Sequence, residues 1–172
     1  MNLWFRLLRV FWRSWWCRKT DDVFFESRIS FRVWPSDLDL NLHMNNGRYL
    51  TLMDLGRTFL MAQVGILWQL PKRRWFPVVG AVDIQYYRSL DPFQKFELVT
   101  RVLTWDEKWF YVEQRFERKG NVLAKAYVRA LFLGPGGKVL PEEVVGLANI
   151  EKLNPPQDPI LDFWKDSVSG KA

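Results

Sequence analysis

The sequence predicts an α+β fold in which a mostly antiparallel sheet is wrapped on one long central helix. The apolar residues between Asn46 and Leu67 follow the three-four spacing of a helix. Four strand-like segments come after it, and the three links that join them are too short for the crossovers that parallel pairing needs. A sheet of this size covers only one face of the helix well, which favours dimerisation.

The composition fits one domain with a real core and excludes several kinds of site. The 172 residues are 48% hydrophobic, and they include one cysteine, Cys17, and one histidine, His43. That excludes a disulfide framework and a zinc cluster of Cys and His. A metal site made of carboxylates alone stays open, but we see no ligand loop, and we expect neither a metal nor a cofactor.

The net charge of +6 is concentrated at the N-terminus. Residues 1–20 hold five of the 25 basic residues and no acidic one, which leaves 20 basic and 19 acidic residues in the rest of the chain. A basic face spread over the whole domain is therefore not expected, and we predict no nucleic-acid partner.

Residues 1–20 are predicted to form a basic amphipathic helix. Arg6, Arg9 and Arg13 lie at helical spacing on one narrow face, and Trp, Phe and Leu cover most of the rest. The charges are too many for a spanning helix, and no cleavage site of a signal peptide follows. Because Trp and Arg suit the membrane–water boundary, we predict a cytoplasmic protein whose residues 1–19 lie in the inner face of a membrane. The guanidinium groups are expected to stay in contact with water. The alternative is a helix packed on the domain or on a partner subunit.

Local sequence patterns predict the elements that come after the N-terminal helix. Alternation of apolar and polar residues predicts a strand over residues 23–34. The long helix from Asn46 should be stopped by Pro71, and Gly56 in its apolar stripe indicates close approach to another backbone. Strands are predicted at Phe76–Tyr87, Lys95–Leu103, Trp109–Arg118 and Val122–Leu133, with a tight turn at residues 119–121, a loop at 134–138 and a short helix at 141–150. We predict a helix at 1–20, the main domain at 21–140 and a peripheral extension at 141–172.

The stretch DLDLNLHMNNGRY, from Asp37 to Tyr49, gathers short polar residues just before the long helix. Asn45 or Asn46 suits the cap of that helix, whose first-turn N–H groups carry partial positive charge. Asp39 lies seven residues before Asn46, so the loop can fold back and place its carboxylate beside those donors. A carboxylate facing amide donors can attack an acyl carbonyl directly or deprotonate a water.

Other polar residues have simpler explanations. Asp54 is about 12 Å along the helix axis from the first-turn amides, so pairing with Arg57 on the helix surface suits it better than catalysis. Asp37 is expected to order the turn through its own backbone. His43 is either a hydrogen-bonded structural residue or part of the site. The basic run at 72–74 reads as a solvated surface, with contact to CoA phosphates as the alternative.

The run DLDLNLHMNNGRYL resembles the signature of hotdog-fold acyl thioesterases of the 4-hydroxybenzoyl-CoA thioesterase family. Plant acyl-ACP thioesterases carry a similar D-x-N-x-H-x-N-N run, and TWDEKWFYVEQRF is similar to membrane-associated members of the thioesterase superfamily. The likeness covers about residues 23–135. It implies that Asp39 is the catalytic carboxylate, that Asn41 and His43 support it, and that the backbone N–H of Asn46 polarises the thioester carbonyl.

The resemblance also implies a homodimer or dimer of dimers with active sites at the subunit interface. The expected reaction is hydrolysis of a fatty or aryl acyl-CoA to free acid and CoA, so CoA belongs to the substrate. Tyr49, Leu52 and Met53 and the strand VVGAVDIQYY are candidate substrate-binding walls.

One departure separates this chain from the plant enzymes, which carry a Glu-Cys pair where it has Ser89 and Leu90. This favours a site with a single carboxylate. A membrane-associated hotdog scaffold that binds acyl-CoA or lipid with little turnover is the alternative function. A dehydratase on the same fold fits less well, because the helix lacks the histidine of such enzymes.

Overall fold

The computed structural model describes residues 2–148 and 155–169. Its helices and strands in chain order are α1 (Asn2–Trp16), β1 (Ser27–Arg32), α2 (Asn46–Gln63), α3 (Leu70–Arg73), β2 (Phe76–Tyr86), β3 (Lys95–Trp105), β4 (Phe110–Arg118), β5 (Asn121–Gly134), β6 (Gly137–Val139), α4 (Pro141–Gly146) and α5 (Ile160–Ser169).

All strand pairs in the described part of the chain are antiparallel, which confirms the predicted sheet. The order is β1-β3-β4-β5-β2, and β6 pairs with the end of β5. Lys119 and Gly120 connect β4 to β5 with φ angles of 50° and 77°, which confirms the tight hairpin turn. The 11-residue strand β2 is an edge strand, because β5 is its only strand partner among the described residues.

Helix α2 packs against the concave face of the sheet and supplies much of the core. Gly56 makes the close approach that the sequence predicts. A Cβ atom at this position would lie 2.7 Å from Leu98 Cδ2, 2.8 Å from Thr100 Oγ1 and 2.9 Å from Gln114 Nε2. Gln114 is fully buried and donates hydrogen bonds from Nε2 to the Met53 carbonyl at 3.0 Å and to Thr100 Oγ1 at 2.9 Å. The helix therefore touches β3 and β4 at its middle.

Helix α1 packs on α2, and Arg6, Val10 and Ser14 of α1 are buried. The prediction that the arginine face stays in water is wrong for Arg6. Its neighbours on the other faces of the helix are exposed aromatic and aliphatic side chains, which we call the aromatic face: Trp4, Phe5, Leu8, Trp12, Trp15 and Trp16. The helix thus turns its most apolar side outward, because the domain supplies a polar partner for Arg6.

The structure corrects the predicted start of the first strand and the predicted end of the long helix. The first strand begins at Ser27 rather than at residue 23. The long helix ends at Gln63 because Gly65 adopts a left-handed φ of 81°, which breaks the helical path. Pro71 does not stop that helix, since it lies in the first turn of the separate helix α3.

Two elements beyond residue 133 were missed. Strand β6 occupies part of the predicted loop, and α5 lies in the tail that the sequence suggests is peripheral. Trp164 of α5 is buried against the convex face of the sheet, in a small cluster with Tyr111 and Ile160. The short helix predicted at 141–150 is α4, and residues 149 and 150 lie outside the described residues.

Candidate active site

The segment from Leu38 to Asn45, which we call the Asp39 loop, folds back on itself before α2. Leu38 and Met44 form an antiparallel bridge, and the Asp39 N–H donates to the His43 carbonyl at 2.9 Å. The Asn45 N–H donates to the carbonyl of Asp37 at 2.8 Å. Leu42 closes the turn with a φ of 60°. The backbone thereby brings Asp39 back beside the segment that leads into the helix, as the spacing suggested.

The Asp39 carboxylate is half-buried and organises its own loop. Its Oδ1 accepts hydrogen bonds from the N–H of Asn41 at 2.9 Å and from the N–H of His43 at 3.2 Å. Within the described residues no hydrogen bond joins this carboxylate to the first-turn amides of α2. The loop thus holds the acid in a defined place and engages one of its two oxygens.

The side chains of Asn41 and His43 are exposed. His43 Nε2 is 3.8 Å from Asp91 Oδ1, which is too long for a direct hydrogen bond. What binds Asp39 is the backbone N–H of each residue, not the side chain. Their predicted role as supporting side chains stays a prediction.

Asn45 caps α2, as its position predicts. Its Oδ1 accepts the Gly47 N–H at 2.8 Å, and its carbonyl accepts the Arg48 N–H at 2.8 Å. In the part of the chain that the structure describes, the Asn46 N–H has no hydrogen-bond acceptor. Because helix ends carry partial positive charge, this N–H can donate to a carbonyl oxygen that develops negative charge.

The three predicted binding residues belong to the core of the single chain. Tyr49, Leu52 and Met53 are each at most 2% exposed and pack in the main hydrophobic cluster. Tyr49 stacks edge-on against Tyr86 and Phe116. Burial raises the pKa of Tyr49 to about 12, so its phenol stays neutral at ordinary pH. None of the three lines the apolar cavity beside the second half of α2.

A cavity of about 330 Å³ lies between the second half of α2, the concave face of the sheet and α4, and we call it the helix–sheet cavity. It is lined almost entirely by apolar side chains, among them Leu60, Val64, Val79, Val102, Phe110, Val112, Ala130, Phe132 and Val144. The sequence did not reveal it, because the lining comes from elements that are distant in the chain. An apolar cavity with few polar groups is the usual form of a site for a small apolar ligand.

The polar lining of this cavity comes from one face of α2, at Asp54, Arg57 and Thr58. Arg57 donates to Gln114 Oε1 at 2.7 Å and pairs with Asp54, which confirms the predicted pair. Burial lowers the pKa of the Arg57 guanidinium, and the Asp54 charge counteracts part of that effect. Asp54 lies about 12 Å along the helix axis from Asn46, so the cavity and the N-terminal end of α2, the helix tip, do not coincide within one chain.

Asp37 has a larger structural role than the sequence suggested. Its side chain is 1% exposed and pairs with Arg6 of α1, which is 8% exposed. The same carboxylate oxygen accepts the Trp34 N–H at 2.8 Å, and the other oxygen lies 3.7 Å from Nε of Arg48. An arginine within an apolar helix was the available signal, but periodicity could not identify its partner.

Two kinds of feature are absent from the described ranges, 2–148 and 155–169. No group of three or more His, Cys, Asp or Glu side chains there could hold a metal ion. No helix there is long and apolar enough to cross a membrane.

Comparison with known proteins places this geometry in a family. A model of the thioesterase-like superfamily matches residues 33–151. Protein THEM6 of Danio rerio is 42% identical over 100 residues, which make up 58% of this chain and 50% of that protein. A probable thioesterase of Saccharomyces cerevisiae is 31% identical over 108 residues, 62% of this chain and 47% of that protein. The chain spans about half the length of these curated relatives.

The solved structures show the same fold. The crystal structure of YbaW, a probable thioesterase from Escherichia coli, superimposes with a TM-score of 0.65 at 18% identity, over 72% of this chain and 96% of that one. This likeness confirms the predicted hotdog fold. Since the family match covers well over half of the sequence and includes the Asp39 loop, the protein belongs to the thioesterase-like superfamily.

Proposed function

We propose that the protein hydrolyses the thioester of an apolar acyl-CoA, releasing a free acid and CoA. The observation that carries this proposal is the pairing of an apolar cavity of about 330 Å³ with a capped helix that leaves the Asn46 N–H available beside an acid-bearing loop. The named thioesterases among the relatives support the reaction type. The apolar lining favours a fatty or aryl acyl group over a charged one.

The complete site would form between two subunits. Phe76, Val79 and Val82 on the edge strand β2 are exposed, as suits a strand that pairs with a second copy. The beginning of β2 lines the cavity at Val79, and its end contacts the helix tip, where the Tyr86 hydroxyl donates to the Asn46 carbonyl at 3.4 Å. In an antiparallel β2–β2 pair the beginning of one strand faces the end of the other. The acid and helix tip of one subunit therefore meet the cavity of its partner.

The chemistry follows from this arrangement. The Asn46 N–H donates to the thioester carbonyl and stabilises the oxyanion as the carbon becomes tetrahedral. Asp39 either removes a proton from the attacking water, or attacks the carbon itself to form a mixed anhydride that a water molecule then hydrolyses to the free acid. In both routes the C–S bond breaks, and CoA leaves as a thiolate that takes up the proton lost by the water. Tyr49, Leu52 and Met53 remain proposed as substrate-binding walls, and Asn41 and His43 as groups that support Asp39.

Turnover on a panel of acyl-CoA substrates, measured as released thiol, tests the reaction. We expect Asp39→Ala to lower kcat by at least about a hundredfold while circular dichroism stays unchanged. Asp21→Ala, at an exposed aspartate outside the loop, is the matched control and should leave turnover intact. Absence of turnover by the unmodified protein on every chain length, together with tight acyl-CoA binding, would instead establish the scaffold function.

A mixing experiment tests the shared site. Asp39→Ala removes the acid, and Ala130→Trp fills the cavity of the chain that carries it. Each variant alone should be inactive. Random re-association should restore about a quarter of the unmodified activity, because half of the dimers then hold one intact acid and one open cavity that face each other. If acid and cavity act within one chain, mixing restores nothing.

We also propose that the protein lies peripherally on the cytoplasmic side of a membrane through residues 1–19. The aromatic face is exposed, and Arg9, Arg18 and Lys19 are exposed near it in a segment without acidic residues. Indole rings at headgroup depth and basic groups near anionic lipid both favour surface binding.

Flotation with vesicles that contain anionic lipid tests this surface. Trp12→Ser together with Trp15→Ser should abolish most of the binding, because both indoles are more than 70% exposed. Trp34→Ser removes an exposed indole outside α1 and is the control. Equal flotation of all three proteins would exclude α1 as the membrane contact.

A further inference from the structure

We propose that Arg6 is a positioning residue for the Asp39 loop, so that docking of α1 on the domain sets the place of the catalytic acid. This inference rests on the proposed function, because it concerns the same acid. It assigns a role to a residue that lies 33 positions before Asp39 in the sequence and outside the family match at residues 33–151.

The contacts of Arg6 join three parts of the chain. Its Nη2 donates to the carbonyl of Arg32 at 2.8 Å, at the end of β1, and to the carboxylate of Asp37. Both charged side chains are almost completely buried. Arg6 therefore holds the last residue of β1 and the residue just before the Asp39 loop at a common point on α1.

The geometry gives a short path from this pair to the acid. Leu38 is extended, with φ −81° and ψ 152°, and it is the only residue between Asp37 and Asp39. The Asp37 carbonyl also accepts the Asn45 N–H, and the Asp39 N–H donates to His43. A displacement of Asp37 would therefore move both strands of the loop together, and with them the carboxylate relative to the helix tip.

A buried ion pair is a costly way to obtain stability, because an apolar pair of the same volume is often as stable. What distinguishes such a pair is its defined geometry, because a planar guanidinium can bind a carboxylate in only a few orientations. Here it specifies how α1 meets the loop. Arg48 Nε lies 3.7 Å from the other oxygen of Asp37 and would keep that charge partly compensated in the absence of Arg6. Variants at position 6 are therefore expected to fold.

The test uses the full-length protein and the substitution Arg6→Gln. The matched control is Arg115→Gln, which removes an arginine of similar burial that pairs with Glu26, Glu113 and Glu117 on the other face of the sheet. We expect Arg6→Gln to lower kcat by about tenfold with little change in KM, because small misplacements of a reacting group act on the chemical step. Arg115→Gln should reduce the unfolding temperature but not kcat. The double variant with Asp37→Asn and Arg6→Gln should lower kcat by no more than the single variant that has the larger effect.

Hydrogen–deuterium exchange supplies a readout that does not depend on activity. The N–H groups of Asp39, Leu42 and Asn45 are hydrogen-bonded within or next to the loop. They should exchange at least about tenfold faster in Arg6→Gln than in the unmodified protein or in Arg115→Gln. Unchanged exchange and unchanged kcat in Arg6→Gln would overturn the positioning role. Faster exchange in a protein that hydrolyses no acyl-CoA would support the loop linkage and remove the proposed enzyme function.

Discussion

Acyl-chain length should determine the rate of hydrolysis until the helix–sheet cavity is full. Its volume of about 330 Å³ has room for roughly eleven groups the size of a water molecule, taking about 30 Å³ for each. Every methylene that enters an apolar site contributes about 0.8 kcal/mol, which corresponds to about a fourfold change in an equilibrium constant. We therefore expect kcat/KM for saturated acyl-CoA substrates to rise about fourfold per added carbon and to level off near about ten carbons.

Ala130→Leu shifts this limit. Ala130 is on β5, it is 7% exposed, and its side chain lines the cavity. The substitution adds three carbon atoms, so the preferred chain should become about three carbons shorter. For the longest chain that fits the unmodified protein, the loss should reach about 2.4 kcal/mol, or about sixtyfold in kcat/KM.

The assay is initial-rate thiol release over a series of saturated acyl-CoA substrates, at concentrations below micelle formation. Val122→Leu is the control, since it adds one methylene to the same strand at a position that is 36% exposed and not part of the cavity. A flat dependence on chain length, or the same optimum in both variants, would show that the acyl group does not enter this cavity.

Three further predictions concern stability. Gly56→Ala should lower the free energy of unfolding by about 1–2 kcal/mol in a urea titration, because overpacking against the sheet outweighs the gain of about 1 kcal/mol in helix propensity. The control is Gly146→Ala, whose new Cβ meets no neighbouring atom of the described residues within 4 Å, and it should not lower the free energy of unfolding. The hydrogen bond from Arg115 holds the pKa of Glu26 below its ordinary 4.5. The ionised Glu26 therefore contributes stability above pH 4.5, and this contribution is lost as the pH falls through the lowered pKa. Glu26→Gln should make the free energy of unfolding depend less on pH in the acid range, and an unchanged dependence would contradict this. Asn45→Ala should cost about 1 kcal/mol through loss of the helix cap, and an unchanged urea midpoint would show that the cap is dispensable.

The local features of this protein could be read from its sequence. The spacing of apolar residues identified α2, and the alternation and short links identified the antiparallel strands. Asn45 was one of two predicted caps, and Gly56 was correctly expected at a close contact. Each of these depends on residues a few positions apart, whose relation is set by the geometry of a helix, a strand or a turn.

The tertiary structure decided which surfaces meet. The amphipathic pattern of α1 is compatible with solvent-exposed or with buried arginines. Arg6 is buried because Asp37 lies where it can pair with it. The cavity is formed by α2, α4 and several strands, so no single segment carries its signal. The sequence suggested a peripheral tail in the region of α5, but Trp164 of this helix is buried against a face of the sheet. Periodicity shows that a face is apolar, whereas its partner depends on how distant segments fill space together.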